Sequence, residues 1–229
     1  MVVESGGLVK LTRLFLIAIL LAAFGANSAG AAPIVYNTGR NSTNTGLVAP
    51  GAAASFWTLL SEPAGATEAI GSGTFRFNCC YFADTADAAW VSPGGPAAPG
   101  IAGVQGIYVY QMILDLTGFD PNSVSITGTF GTDNDGFIRV NGGANAATTC
   151  FGCFGAPTVF SLTSGFHAGL NSIELGVNNG GDPTAFFVRF DSANGNPTNP
   201  NDPGRVPEPA SVVLLGTGLT SLIARYRRR

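Results

Sequence analysis

Short alternating segments, rather than helical periods, run through the middle of this chain. Apolar residues alternate with Ser, Thr, Glu or Gly over residues 124–130 and 172–177, and again around Phe187 and Arg189 over residues 186–190. Period-two alternation is typical of β-strands with one buried face. No stretch between Pro33 and Arg205 has a convincing helical period. The pattern therefore predicts a fold built from strands, with further candidates at 55–60, 73–78, 106–116, 136–141 and 157–163.

Turn-forming residues separate these segments. Asp-Pro-Asn at 120–122, Asn-Gly-Gly at 141–143 and Asn-Gly-Gly-Asp-Pro at 179–183 supply positive or fixed φ angles, as does a Pro/Gly run at 92–103. Many short strands joined by such turns predict an all-β domain, an antiparallel β-sandwich or jelly roll, over residues 33–190. Residues 191–205 have almost nothing to bury and predict a disordered linker.

The N-terminus has the composition of a secretory signal. Lys10 and Arg13 precede an apolar run at 14–24, and small residues follow to position 32. This order predicts a signal peptide over 1–32 that is removed during export. An uncleaved membrane anchor is the alternative, but the apolar run is shorter than the roughly 20 residues of a spanning helix.

The C-terminus carries three elements in a fixed order. Val-Pro-Glu-Pro at 206–209 is followed by an apolar segment at 210–224 and then by Arg225, Arg227, Arg228 and Arg229. A basic cluster after an apolar segment favours the cytoplasmic side of a membrane. We expect a C-terminal transmembrane helix with these arginines as its stop. A buried core helix is the alternative, which four unpaired arginines would make costly.

This order resembles the PEP-CTERM sorting signal of exported bacterial proteins, with Pro207, Glu208 and Pro209 as the tripeptide. The resemblance implies use of the export machinery, transient anchoring in the inner membrane and processing by a membrane-embedded exosortase. It also implies delivery to the cell surface or extracellular matrix. By the same resemblance, such proteins accompany exopolysaccharide production and biofilm formation.

The region between the two ends is acidic. Residues 33–205 hold five arginines, no lysine and twelve acidic residues, a formal net charge of −7, whereas the whole chain has −3. Such a domain repels phosphate backbones, so we expect no nucleic-acid partner.

Four cysteines form two close pairs, Cys79 with Cys80 and Cys150 with Cys153. In an exported chain an even number of cysteines predicts disulfides. Because a bond between adjacent Cys79 and Cys80 would strain the intervening peptide, cross-pairing between the two pairs is favoured. A redox Cys-x-x-Cys site is one alternative, although no helical pattern follows the pair as such a site needs. A zinc site is another, although a structural zinc site usually has a second Cys-x-x-Cys knuckle and Cys79-Cys80 is not one.

The sequence offers little for catalysis. The single histidine, His167, falls in a predicted loop, and there is no Gly-x-Ser-x-Gly elbow, no His-Glu-x-x-His motif and no phosphate loop. We therefore expect no catalytic residue, no metal and no cofactor. Paired carboxylates for glycoside cleavage remain open, because they pair only in space.

An Asp-rich turn is the most suggestive internal feature. Asp133, Asn134, Asp135 and Gly136 precede a segment that ends in Asn-Gly, and a later segment, 164–175, leads through small residues and Asn into a strand. This arrangement over 116–190 resembles the galactose-binding-like jelly rolls. The resemblance implies that Asp133, Asn134 and Asp135 could bind sugar hydroxyls, with Trp57, Tyr81, Trp90 or Tyr108 stacking on the sugar. A turn held by its own Asx side chains and a calcium loop are the alternatives.

Together these features predict an exported, non-catalytic surface or matrix protein with weak carbohydrate contact. The alternative is an extracellular hydrolase acting on polysaccharide.

Overall fold

The computed structural model describes residues 32–94, 99–101, 103–152 and 154–198. These residues lie within one compact unit, Ala32–Pro200. The predicted signal peptide, apart from residue 32, and the predicted sorting signal at 206–229 lie outside the described residues. In the described ranges, no helix is long and apolar enough to cross a membrane.

The described chain is all-β, as predicted, with one short 3₁₀ helix at Pro121–Ser123. The strands are β1 (Ala53–Ser61), β2 (Gly73–Arg76), β3 (Val91–Ser92), β4 (Gly106–Asp115), β5 (Ser125–Asp133), β6 (Asp135–Val140), β7 (Ala147–Thr148), β8 (Thr158–Leu162), β9 (Leu170–Asn179) and β10 (Ala185–Asn194). They form one ten-stranded antiparallel sheet in the order β7-β6-β9-β4-β1-β2-β3-β10-β5-β8. The sheet is sandwich-like and nearly closed, since the edge strands β7 and β8 contact each other.

The longest uninterrupted pairing joins β4 to β9. It runs without a shift from Gly106 opposite Asn179 to Asp115 opposite Leu170. Along β4, Tyr108, Tyr110, Met112 and Leu114 are buried while Ile107 and Ile113 are exposed. Burial of one face therefore fixes the register, because a slip by one residue would expose this whole set.

Strand β10 is buried on both faces, although its alternation predicted one buried face. Phe186 and Val188 enter the main hydrophobic core. Phe187 points to the opposite side, where it packs in a second cluster with Trp90. That cluster is covered by Phe77, Tyr81, Phe82 and Phe154, which come from loops beside the sheet. Loop residues thus bury the face that the alternation assigned to solvent.

The folded domain extends beyond its predicted end at residue 190. Strand β10 continues to Asn194, where it pairs with Ser125 of β5. Further on, the Asn196 carbonyl accepts from the Asp120 N–H at 2.8 Å, and the Thr198 N–H donates to the Gly118 carbonyl at 2.9 Å. The predicted linker at 191–205 therefore begins too early. Backbone pairing orders these polar residues, although they contribute little apolar surface.

The cysteine pairing differs from the favoured prediction. Within the described residues, Cys79 and Cys80 are exposed free thiols. Cys150 is disulfide-bonded, so its partner is neither of them. Cys153 lies outside the described residues. The predicted cross-link between the two cysteine pairs is therefore not present, because Cys79 and Cys80 are both free.

Candidate functional site

The Asp-rich turn lies between β5 and β6 and is held by its own side chains. Asp133 is 5% exposed, and its carboxylate accepts from the Tyr81 hydroxyl at 2.7 Å and from the Asn134 amide at 3.0 Å. The Asn134 amide oxygen accepts from the Gly180 N–H at 2.6 Å. Polar groups in these two side chains thus bind neighbouring residues of the protein. For Asp133 and Asn134, the structure favours the turn interpretation over ligand contact.

Two opposing effects act on the pKa of Asp133. Burial raises the pKa of this carboxyl, and the hydrogen bond from Tyr81 lowers the pKa by a smaller amount. Because the bond from Tyr81 favours the charged carboxylate, its contribution to stability is present above the pKa of Asp133 and is lost as the pH falls through that pKa.

Replacement of Tyr81 by Phe should destabilise the protein at neutral pH. We expect a loss of about 1–3 kcal/mol in the free energy of unfolding, since a buried carboxylate loses a donor. Urea unfolding of the wild-type and Tyr81→Phe proteins should be measured at several acidic pH values. The difference in their free energies of unfolding should become smaller as Asp133 becomes protonated. Tyr108→Phe is the matched control, because the Tyr108 hydroxyl donates to the neutral Val104 carbonyl at 2.9 Å. A Tyr81→Phe deficit that stays constant or grows towards low pH would contradict this account.

Asp135 differs from its two neighbours because it faces an open cleft. One carboxylate oxygen accepts from the Asn178 amide at 2.9 Å. The cleft has a volume of about 250 Å³ and presents carboxylate, amide and hydroxyl groups together with one aromatic ring. It is lined by Ile107, Asp135, Gly136, Phe137, Asn145, Thr148, Thr149 and Asn178.

The aromatic ring of this cleft is fixed by a glycine on the paired strand. Phe137 of β6 lies opposite Gly176 of β9, and a Cβ atom at position 176 would collide with the Phe137 ring. The Arg139 guanidinium carbon stands 4.9 Å from the ring centroid, within cation–π range. Arg139 is itself held by Glu174 through an Nε–Oε2 bond of 2.8 Å. Gly176 and Arg139 together therefore fix the position of the ring.

The four aromatic residues predicted as sugar platforms lie elsewhere. Trp57, Trp90 and Tyr108 are buried in the two hydrophobic clusters. Tyr81 is half-buried, and its hydroxyl binds Asp133. Sequence reasoning missed Phe137, Asn145, Thr148 and Asn178, which reach the cleft from three different parts of the chain. The sequence feature that could have pointed to Phe137 is its position, since only Gly136 separates it from Asp135.

A second polar cluster lies beside β1 and β4. Burial raises the pKa of Glu68, the Gly94 N–H lowers it, and the nearby charge of Glu62 raises it further. Among the described residues, no hydrogen-bond partner reaches the buried Oε2 of Glu62 or the buried hydroxyl of Tyr110. The negative charges of Glu68 and Glu62 both raise the pKa of Tyr110, after burial as the main cause. Two carboxylates and an unsatisfied hydroxyl thus share one region.

Comparison with family models identifies the C-terminal segment. Residues 205–229 match the PEP-CTERM protein-sorting motif. The match covers the predicted tripeptide, apolar segment and arginine stop, and it confirms the resemblance stated for the tail. It implies export, a membrane-anchored step and processing by an exosortase. Curated proteins and solved structures gave no significant match to the chain.

Proposed function

We propose that this is a non-catalytic protein of the cell surface or extracellular matrix that binds neutral carbohydrate through the Asp135 cleft. The sorting motif supports the exported location. The observation that carries the binding proposal is the set of groups in the cleft, where carboxylate, amide and hydroxyl groups surround the Phe137 ring. Sugar hydroxyls require such donors and acceptors, and the apolar face of a sugar packs on an aromatic ring. In this proposal, exosortase processing releases the domain towards exopolysaccharide in a biofilm.

In this proposal, the Asp-rich turn contributes one side chain directly to the cleft. Of the three predicted ligand residues, Asp135 supplies the hydrogen-bonding group, while Asp133 and Asn134 shape the turn that holds it. Asn145 and Thr148 also line the cleft, and both are exposed. A ligand entering the cleft can therefore displace water from these groups without breaking the bonds that hold the turn.

The negative charge of the domain limits the class of sugar that we propose for the cleft. Residues 33–205 have a formal net charge of −7, and one of their carboxylates, Asp135, lines the cleft. Uronic acids and sulfated or phosphorylated sugars would meet like charge there. We therefore propose neutral hexoses, whose hydroxyls can donate to Asp135, as the bound units.

Substitution of Asn145 or Asp135 by Ala should weaken binding of neutral oligosaccharides about three- to tenfold each, the effect of one lost hydrogen bond. The measurement is titration of the exported protein with neutral hexose oligosaccharides that give a signal on a glycan array. Asn145 is exposed, so its truncation should leave the melting temperature unchanged and keep the test independent of folding. Asp115→Ala, an exposed carboxylate outside the cleft, is the control. A uniformly flat array, or equal affinities for all four proteins, would contradict the proposal.

The alternative is a polysaccharide hydrolase that uses Glu62 and Glu68. The direction of the Glu68 shift is the observation in its favour: burial and the nearby charge of Glu62 raise the pKa of this carboxyl, although the Gly94 N–H lowers it, and a general acid in a glycosidase has a raised pKa. Release of reducing ends from exopolysaccharide that is abolished by Glu68→Gln, with binding at the Asp135 cleft unaffected, would establish this alternative. Absence of hydrolysis by the wild-type protein would leave the binding function.

A further inference from the structure

Phe151 is an aromatic residue that the fold leaves in solvent beside the Asp135 cleft. It lies between β7 and β8 and is 73% exposed. Among the described residues, every other Phe, Tyr and Trp is buried or half-buried. Thr149, two residues before Phe151, lines the cleft. Because two residues of chain span at most about 7 Å, the backbone of Phe151 lies within that distance of a residue of the cleft.

The Phe151 ring lies beside Gly180, the residue that follows β9. A Cβ atom at position 180 would stand 3.5 Å from Cε2 of Phe151, which is ordinary van der Waals contact. Two hydrogen bonds hold the backbone of Gly180: its N–H donates to Asn134 Oδ1 at 2.6 Å, and its carbonyl accepts from Gln105 Nε2 at 2.9 Å. Asn178, two residues before Gly180, also lines the cleft. The segment that carries Phe151 and the segment that its ring contacts therefore both continue directly into the cleft.

The size of the cleft limits how much of a sugar chain it encloses. Its volume is about 250 Å³, and the only aromatic ring that lines it is that of Phe137. Pockets that enclose drug-sized ligands have volumes of roughly 300–1,000 Å³. The cleft therefore has room for one small unit, and the next unit of a bound chain must lie on the surface outside it.

Phe151 offers the kind of surface that such a second unit needs. A neutral hexose has an apolar face formed by its C–H groups, and this face packs on an aromatic ring. Contact between the two removes apolar surface of both the sugar and the exposed ring from water, which is favourable. A single hexose held inside the cleft leaves the Phe151 ring in solvent and gains nothing from it.

We propose that Phe151 forms a second sugar subsite, so that the preferred ligand is a chain of at least two neutral hexose units rather than a single hexose. One unit occupies the cleft against Phe137, and the next unit stacks its apolar face on Phe151. This inference rests on the proposed binding of neutral carbohydrate by the Asp135 cleft. It adds a dependence of affinity on chain length, which favours a polysaccharide over free monosaccharides.

Calorimetric titration of the exported protein with sugars of increasing length tests the proposal. The probes are glucose, galactose and mannose, together with their β-1,4-linked disaccharides and tetrasaccharides. We expect the disaccharide of a bound hexose to bind about three- to tenfold more tightly than the monosaccharide, since a few tens of square ångströms of apolar surface leave the water. In Phe151→Ala this gain should be lost while the monosaccharide affinity is unchanged. Phe151→Tyr keeps an aromatic ring and should retain the gain.

Leu170→Ala is the matched control, because Leu170 is 65% exposed and lies at the other end of β9 from Asn178. It should keep the gain, and all three variants should keep the wild-type melting temperature, since both positions are exposed. The subsite is overturned, and carbohydrate binding is left in place, if monosaccharide and disaccharide bind equally well or if the gain survives in Phe151→Ala. Failure of every probe to bind would overturn the subsite and the proposed function together.

Discussion

Truncation of Phe186 to Ala should lower the free energy of unfolding by about 3–5 kcal/mol, the range found for large-to-small changes of a buried Phe. Phe186 is 0% exposed at the centre of the main core. Its ring packs against Tyr110 and Trp57, with centroid distances of 4.5 and 5.7 Å. Tyr110 and Trp57 are themselves buried, and because their large rings rearrange little, they would fill only part of the space that the Phe186 ring leaves. The measurement is urea unfolding of the exported protein at neutral pH.

Ile70→Ala is the matched control for this experiment. Ile70 is 67% exposed in the loop between β1 and β2, so its truncation should change stability by less than about 0.5 kcal/mol. Similar losses for the two variants would mean that the core does not lie where Phe186, Tyr110 and Trp57 meet.

Replacement of Pro207, Glu208 and Pro209 together by Ala should abolish processing of the tail. These residues form the tripeptide within the matched sorting motif. We expect the variant to keep its apolar segment and arginines and to accumulate in the inner-membrane fraction at the expense of released protein. Immunoblotting of cell fractions measures both populations.

The matched control for the tail is Pro200→Ala/Asp202→Ala/Pro203→Ala. It removes two prolines and an acidic residue of similar spacing just outside the motif. Normal release of the control together with retention of the variant assigns the effect to the tripeptide. Normal release of both would mean that the tripeptide is not recognised.

Several strands were predictable because apolar residues recur at every second position of their sequences. The predicted segment 106–116 corresponds to Gly106–Asp115, and 157–163 corresponds to Thr158–Leu162. The two-residue strands β3 and β7 were missed, since two residues cannot display a period. The end of β10 was also missed, because residues 191–194 pair through their backbones rather than through an apolar pattern.

The candidate site was predictable only in part. The sequence pointed to the turn at Asp133, Asn134 and Asp135, and the structure leaves one of these residues at the cleft. The other residues that line the cleft come together only through the pairing of strands that are distant in sequence. Asn178 reaches Asp135 only because β9 pairs with β6, and no local pattern encodes that pairing.

The central claim is that this chain is an exported protein whose tail is processed after anchoring in the membrane. Intact-mass and terminal-peptide mass spectrometry of the protein from the cell surface and culture fluid tests it most directly. The account predicts a mature protein that has lost both its signal segment and the arginines at 225–229. Recovery of the full-length chain from the cytosol, with both ends intact and Cys150 reduced, would contradict it.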